Sequence, residues 1–263
     1  HINNTPRQIH LLTAMGAEVP VYAHLPMVLG ADGKRLSKRH GAVDVMHYQQ
    51  EGFLSQALLN QLVRLGWSHG DQEIFSLQEM IDLFTLEAVN SSDAVFDLEK
   101  LTWLNQYYMK SLPVVDVVPY LSQQFTALDI NCTKGPALEK LLPLQAERSK
   151  TLKELAADSR YFYLDVLTYA PKAEKHLNAD IVAPLSTVME QLSALDTWQA
   201  EAIHAVINDV VAQYDIKFGK LAQPIRVAVT GDTRSPSIDV TLQLLGQSAV
   251  VARLRHAIGR IKA

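Results

Sequence analysis

Residues Gly30–Gly41 read GADGKRLSKRHG, and this segment says more about the fold than any other part of the chain. Four of the six residues from Lys34 to Arg39 are cationic, and glycine brackets the run on both sides. Glycine lets a backbone approach a ligand closely, and adjacent lysine and arginine side chains can follow negative charge as it moves between phosphates. On charge alone, a solvated basic hairpin tip or a localisation-like basic cluster is an equally good interpretation.

The residues before this segment predict a helix and then a strand. Residues 1–16 are typical of an entry loop and a short helix, with Pro6 in the first turn and Gly16 at the end. Residues 19–29, VPVYAHLPMVL, are apolar and favour β structure. The sequence therefore predicts a strand that leads into an exposed, glycine-bounded loop.

From Asp44 onward, apolar residues recur at helical spacing almost everywhere. Asp97 is well placed to cap a helix that runs to about Met109. Four later stretches keep the same spacing: 152–169, 181–195, 203–214 and 250–261. Most of these apolar residues are best interpreted as core. The pattern predicts a mainly α protein with a short α/β piece at its front.

The bulk properties narrow the function classes. The 263 residues are enough for two domains, and 48% hydrophobic with 20% charged residues is ordinary for a folded soluble protein. The net charge of −4 argues mildly against nonspecific nucleic-acid binding, so an RNA site would need a local basic patch. One cysteine, Cys132, cannot form an internal disulfide or a multi-thiolate zinc site, which favours the reducing cytoplasm. No apolar stretch is long enough to predict a membrane span.

The order of residues within the loop points to a family. Arg35-Leu36-Ser37-Lys38-Arg39 resembles the K-M-S-K-S loop of class I aminoacyl-tRNA synthetases, and more closely the K-L-S-K-R form of bacterial glutamate–tRNA ligases. Further matches follow in the family's order: Asn4–Gln8 (NTPRQ), Leu65–Asp71 (LGWSHGD), Phe96–Asn105 and Pro224–Gly231 (PIRVAVTG). The resemblance extends from residue 4 to about residue 245.

This resemblance implies a mainly α fold and a division into domains. Residues 1–48 would be the C-terminal piece of a class I, Rossmann-type catalytic domain that carries the loop. Residues 49–111 would be helices that contact the tRNA stem, and residues 112–263 an α-helical anticodon-binding region, with a subdivision near 180. The family's first signature, an H-I-G-H-type motif, and its glutamate-binding residues would precede His1.

The family's activity is the ATP-dependent attachment of glutamate to the 3′ end of tRNA(Glu) through glutamyl-adenylate, with Mg²⁺ expected beside ATP. The resemblance implies that Arg35, Leu36, Ser37, Lys38 and Arg39 bind ATP. Lys38 would be the catalytic cation. Arg35 departs from the first lysine of the family's loop and presents a planar fork instead of a point donor. The histidines show no zinc-ligand spacing, and no metal site is expected in this chain. Alone, the polypeptide is expected not to charge tRNA.

Four residues are predicted to contact tRNA in the last domain. Arg148 lies in a segment, 147–151, that is predicted to begin a helix, and the resemblance implies that it reads the third anticodon base. Lys220, Arg226 and Thr230 are predicted to surround turns at Gly219 and Gly231. A solvated surface arginine is an equally good interpretation of Arg148. The expected partners are tRNA(Glu), ATP and glutamate, without a membrane, and a monomer is the usual state in the family.

Two other classes of function remain as alternatives. A non-catalytic tRNA-binding protein would use the same helical region, but it would have no need for a loop lysine, Lys38, that contacts the phosphates of ATP. A helical interaction scaffold would not require the ordered motifs. The sequence is compatible with a parent enzyme that charges glutamate tRNA alone or glutamine tRNA as well.

Overall fold

A computed structural model describes residues 2–36, 44–166 and 168–262, and the mainly α fold that the sequence predicts is confirmed. The described residues form fourteen α-helices and one two-stranded sheet. The chain divides into two compact units, His1–Tyr108 and Met109–Ala263. Within the described ranges, no helix has the length and apolar character needed to cross a membrane.

The first unit contains short helices around a two-stranded parallel sheet. Its elements are α1 (Thr5–Ala14), β1 (Val28–Leu29), α2 (Val45–Gln50), α3 (Ser55–Val63), α4 (Leu77–Leu83), β2 (Ala94–Val95) and α5 (Leu98–Ser111), which continues past the end of the unit. Strand β1 pairs with β2 in the register Val28↔Ala94 and Leu29↔Val95. Asp97 caps α5 as predicted, because its Oδ1 accepts the amides of Glu99 at 2.8 Å and Lys100 at 3.1 Å.

The predicted strand over residues 19–29 is wrong for most of its length, because only Val28 and Leu29 form a strand. Pro20 and Pro26 lie inside the stretch and cannot donate a backbone hydrogen bond to a ladder. The apolar, β-favouring composition of this stretch therefore predicts a longer strand than the chain forms.

A buried polar network holds the first unit together at Asn60. Its Oδ1 accepts the Phe75 amide and lies 2.8 Å from the Tyr108 hydroxyl, while its Nδ2 donates to the Glu73 carbonyl at 2.8 Å. Asn60 is fully buried, so each of these bonds replaces one that water would otherwise make. Burial, aided by the neighbouring Tyr107, raises the pKa of Tyr108 to about 12.

In the second unit, the regular structure of the described residues is helical throughout. Its helices are α6 (Val114–Ala127), α7 (Leu138–Ala146), α8 (Leu152–Ser159), α9 (Pro171–Glu174), α10 (Val182–Ser193), α11 (Ala200–Gln213), α12 (Phe218–Thr230), α13 (Ile238–Leu245) and α14 (Gln247–Lys262). Short 3₁₀ turns cover Cys132–Lys134, Arg160–Phe162 and Ala179–Ile181. The stripes over 181–195, 203–214 and 250–261 correctly predicted α10, α11 and α14. The stripe over 152–169 did not, since α8 ends at Ser159.

Helix α12 lies at the centre of this unit and contacts α10, α11, α13 and α14. Eight of its thirteen residues are buried, among them the consecutive run Val227–Thr230. The predicted turn at Gly219 is wrong, because Gly219 lies in the first turn of α12. Gly231 does end the helix, with φ +83° and its amide bonded to the Val227 carbonyl at 2.9 Å.

Gly135 and Gly259 make a matched pair for testing how tightly the second unit is packed. A Cβ on Gly135 would lie 2.3 Å from Cδ1 of Tyr163, whereas a Cβ on Gly259, inside α14, would meet nothing within 4 Å. We expect Gly135→Ala to lower the free energy of unfolding by about 1–3 kcal/mol through overpacking. Gly259→Ala should raise it by roughly 0.5–1 kcal/mol by reducing chain entropy in the unfolded state. Denaturant titration of both variants tests the pair, and equal effects would contradict it.

Candidate functional site

The cationic loop begins as a tight hairpin directly after β1. The amide of Gly30 donates to the Lys34 carbonyl at 2.8 Å, and the amide of Leu36 donates to the Val28 carbonyl at 2.9 Å. Asp32 Oδ1 accepts the Lys34 amide at 3.0 Å, and Gly33 adopts φ +71°, which glycine allows without strain. Together these bonds set the path on which the chain enters the predicted phosphate loop.

Of the five residues predicted to bind ATP, the structure places two. Arg35 is exposed and forms an antiparallel bridge with Leu29, and Leu36 is half-buried beside it. Ser37, Lys38 and Arg39 lie outside the described residues. The ATP site, with Lys38 as its catalytic cation, stays a prediction.

A polar cleft of about 540 Å³ lies in the second unit, where α8, the Arg160–Phe162 turn and the segment after α12 meet. Three arginines and three carboxylates line this polar cleft: Arg148, Arg160 and Arg234 with Glu154, Asp158 and Asp232. The formal charges therefore balance. Such a lining offers both strong donors and strong acceptors over a short range.

Arg148 lies at the polar cleft but not at a helix start. Its segment connects α7 to α8, which begins at Leu152 with Thr151 as its cap. The Arg148 amide donates back to the Gln145 carbonyl at 2.9 Å, and the side chain is exposed. The predicted site residue is thus in the cleft, although the helix-start reason given for it does not hold.

Arg226 lies behind the polar cleft and holds one of its walls. Its Nε donates to Ser235 Oγ at 2.8 Å, and its Nη2 lies 3.4 Å from the Pro236 carbonyl oxygen. Its Nη1 donates to Gln223 Oε1 at 2.7 Å. Burial lowers the pKa of Arg226, and the charge of Arg148 acts in the same direction. The guanidinium therefore positions the 231–236 segment that carries Arg234.

The Thr230 hydroxyl also bonds the start of the 231–236 segment. Its hydroxyl lies 2.9 Å from the Arg226 carbonyl oxygen and 3.0 Å from that of Asp232, and it accepts the Asp232 amide at 3.2 Å. These contacts occupy the hydroxyl, so Thr230 shapes the turn that follows α12. A Cβ on Gly231 would lie 3.1 Å from the Thr168 carbonyl oxygen, which is a second reason for glycine there.

The structure separates Lys220 from the other predicted tRNA contacts. Lys220 lines a different groove, near the start of α12, whereas Thr230 is at the helix end. Ten residues of α-helix correspond to about 15 Å. Lys220 and Thr230 therefore belong to different sites.

Sequence reasoning missed several residues of the polar cleft, and Tyr161 is the most informative. Its side chain is 7% exposed, and its hydroxyl has no hydrogen bond of normal geometry within the described chain. Burial raises the pKa of Tyr161, while the nearby Gln145 side chain and the charges of Arg148 and Arg226 act against that rise. Arg160 and Arg234 were missed because each comes from a separate short segment with no motif of its own.

Asp158 shows how the mixed charges of the polar cleft interact. Burial raises the pKa of Asp158, and the carboxylates of Glu154 and Asp232 act in the same direction. Arg234 and Arg160 oppose the rise. The guanidinium groups therefore favour the charged form of this carboxyl, and burial opposes it.

Gln223 offers a test of how the polar cleft is built. Its Oε1 accepts from Arg226 and its Nε2 donates to the Thr233 carbonyl at 3.0 Å, so it joins α12 to the cleft wall. We expect Gln223→Ala to cost about 1–3 kcal/mol of stability, because a half-buried guanidinium loses its acceptor. Amide hydrogen exchange within residues 231–236 should become faster.

The matched control is Gln213→Ala, at the exposed end of α11. It should change neither the free energy of unfolding nor the exchange rates in that segment. Unchanged exchange in Gln223→Ala would contradict the positioning role.

Comparison with known proteins divides the chain into two matched regions. Residues 1–103 match the family model for the catalytic domain of class I tRNA synthetases (E and Q), and residues 114–258 match the model for an anticodon binding domain. Glutamate–tRNA ligase 2 from one strain of Coxiella burnetii is 55% identical over 259 residues, which is 98% of this chain and 55% of the relative. Glutamate–tRNA ligase 1 from another strain of that organism gives the same values. The chain thus spans about half the length of the curated relatives that it matches.

Two solved structures, one of a glutamate–tRNA ligase and one of a glutamate–tRNA synthetase, also match nearly the whole of this chain. A glutamate–tRNA ligase from Elizabethkingia meningosepticum, in complex with its amino acid, is 26% identical with a TM-score of 0.81, and the match covers 99% of this chain and 55% of that one. A glutamate–tRNA synthetase from Elizabethkingia anophelis is 27% identical with a TM-score of 0.77, covering 98% and 55%.

Proposed function

The chain belongs to the glutamate–tRNA ligase family of class I synthetases, and on that premise we propose that it supplies the phosphate loop and the anticodon-reading region of such a ligase. The parent reaction attaches glutamate to the 3′ end of tRNA(Glu) with consumption of ATP. The polar cleft carries the proposal, because balanced guanidinium and carboxylate groups suit the uncharged edges of bases better than phosphates.

The polar cleft fits single-stranded RNA in three respects. Its arginines can donate two parallel hydrogen bonds to a base edge, and its carboxylates can accept from exocyclic amino groups. The buried Tyr161 hydroxyl offers a further polar atom. The cleft volume of about 540 Å³ is within the usual range for a small-ligand site.

Within this arrangement, Arg148 reads a base directly, and Arg226 and Thr230 position the 231–236 segment. Arg148 is exposed at the polar cleft, whereas Arg226 and Thr230 spend their hydrogen bonds on the chain itself. We also propose that residues 1–48 belong to the catalytic domain, that residues 49–111 contact the tRNA stem, and that residues 112–263 bind the anticodon.

The chemical step begins when a carboxylate oxygen of glutamate attacks the α-phosphorus of ATP. The bond from that phosphorus to the bridging oxygen breaks, and pyrophosphate leaves with the electron pair. A fixed cation at this point stabilises charge that is larger in the transition state than in the ground state. Lys38 supplies that cation, and Arg35 and Arg39 hold the triphosphate.

Magnesium would enter with the nucleotide. No group of three histidine, cysteine, aspartate or glutamate side chains that could hold a metal is found in residues 2–36, 44–166 and 168–262. The steps assigned here to Lys38, Arg35 and Arg39 need only the charges of those side chains.

The catalytic part is tested in the full-length ligase. Lys38→Ala should lower kcat for adenylate formation by about 10²–10³, because a preorganised charged donor is lost at the leaving phosphates. ATP–pyrophosphate exchange measures this step. Lys140→Ala, a change at an exposed lysine of α7, should leave it unaltered. The 263-residue chain alone should not charge tRNA, and measurable charging would contradict the proposed division of labour.

The RNA-reading part is tested with the chain as it stands. Filter binding should show a preference between glutamate and glutamine tRNAs, and Arg148→Gln should reduce that preference by about 1–3 kcal/mol through loss of a bidentate contact. Arg255→Gln, at an exposed position of α14, is the control and should keep the preference. Equal discrimination by wild type and Arg148→Gln would rule out Arg148 as the reader.

A further inference from the structure

A second cavity of about 1060 Å³ lies at the opposite end of α12 from the polar cleft. Its walls come from the segment before α10 and from the chain that leads into α12. Residues on its rim are Lys175, Asp180, Lys217 and Lys220. We call it the lysine groove.

The lysine groove differs from the polar cleft in its charge. Three lysines oppose one carboxylate, that of Asp180, so the formal charge of the lining is +2. No ion pair to these three lysines is found among the residues that the structure describes. The N-terminus of α12 adds partial positive charge, because the first backbone amides of the helix receive no hydrogen bond from the side chain of its N-cap residue, Lys217. The groove therefore attracts anions.

The residue types indicate which anion. The part of the groove lining that the structure describes contains lysine and no arginine. Lysine is a flexible point charge that suits phosphate, whereas base edges and carboxylates are better matched by the planar fork of arginine. Ile181, Pro184 and Pro224 also line the groove and are largely buried, so the lining offers apolar surface against which a ribose can pack.

The distance along α12 between the lysine groove and the polar cleft is short enough for one RNA strand to reach both. Lys220 and Thr230 are ten residues apart on α12, or about 15 Å along its axis. At about 3.4 Å per phosphate of a stacked strand, that distance corresponds to roughly four nucleotides. One RNA strand whose base enters the polar cleft is long enough to reach the lysine groove.

We propose that the lysine groove binds the phosphodiester backbone of the same RNA whose bases enter the polar cleft. This inference rests on the proposed anticodon-reading function. It assigns Lys175, Lys217 and Lys220 to backbone positioning, which contributes affinity without base discrimination.

The test is the salt dependence of RNA binding by the double variant Lys217→Ala/Lys220→Ala. Each lost phosphate contact lowers the slope of log K against log salt concentration by about 0.7–0.9, so the double variant should lose about 1.4–1.8. Affinity for glutamate tRNA and for glutamine tRNA should fall by the same factor. The control is Lys134→Ala/Lys140→Ala, two exposed lysines away from the groove, which should keep the wild-type slope.

Three outcomes would overturn the proposal. A wild-type slope and affinity in the double variant, with Arg148→Gln still losing discrimination, would remove the lysine groove and leave the proposed function intact. A changed preference between the two tRNAs would mean that the lysines read bases. Retained RNA binding with lost binding of a poly-glutamate peptide would make the groove a site for acidic protein. Absence of any RNA binding by the wild type would instead remove the proposed function as well.

Discussion

Helix α12 is buried along most of its length, and the two candidate sites of the second unit lie at its two ends. Ile225 and the run Val227–Val229 have no exposed surface, so the helix can neither rotate nor slide without opening the core. Arg253 of α14 adds a polar lock by donating to the Val229 carbonyl at 2.6 Å. Because the axis is fixed, the side chains at its two ends emerge at fixed places, one at the polar cleft and the other at the lysine groove.

The two ends of this helix have different chemistry, and the difference follows from residue type. Guanidinium groups and carboxylates meet in equal number at the polar cleft, where directional hydrogen bonds are required. Ammonium groups predominate at the lysine groove, where charge alone is sufficient. Hydrogen bonds from Arg226 to Ser235 and Gln223 make the cleft rigid, whereas nothing comparable fixes the lysines in the described chain. Specific recognition needs the first arrangement, and attraction of a backbone needs only the second.

Sequence alone predicted those features whose signal is local. The stripes of α10, α11 and α14 are continuous in the chain, so periodicity predicted them correctly. The polar cleft is not continuous: Arg148, Arg160 and Arg234 come from three segments that only the tertiary fold brings together. The turn predicted at Gly219 failed for a related reason. Glycine suggests a break, but the packing of the rest of α12 keeps this residue in the first helical turn.

Gln223 lines the lysine groove and also bonds Arg226 and the Thr233 carbonyl behind the polar cleft. The two sites therefore share a side chain as well as a helix. An occupant of the groove that stabilises the side-chain conformation of Gln223 bonded to Arg226 also stabilises the observed position of the cleft wall. Thermodynamic linkage then requires that a base in the cleft tighten the groove by the same factor. A single amide would in this way make the binding of base and backbone cooperative.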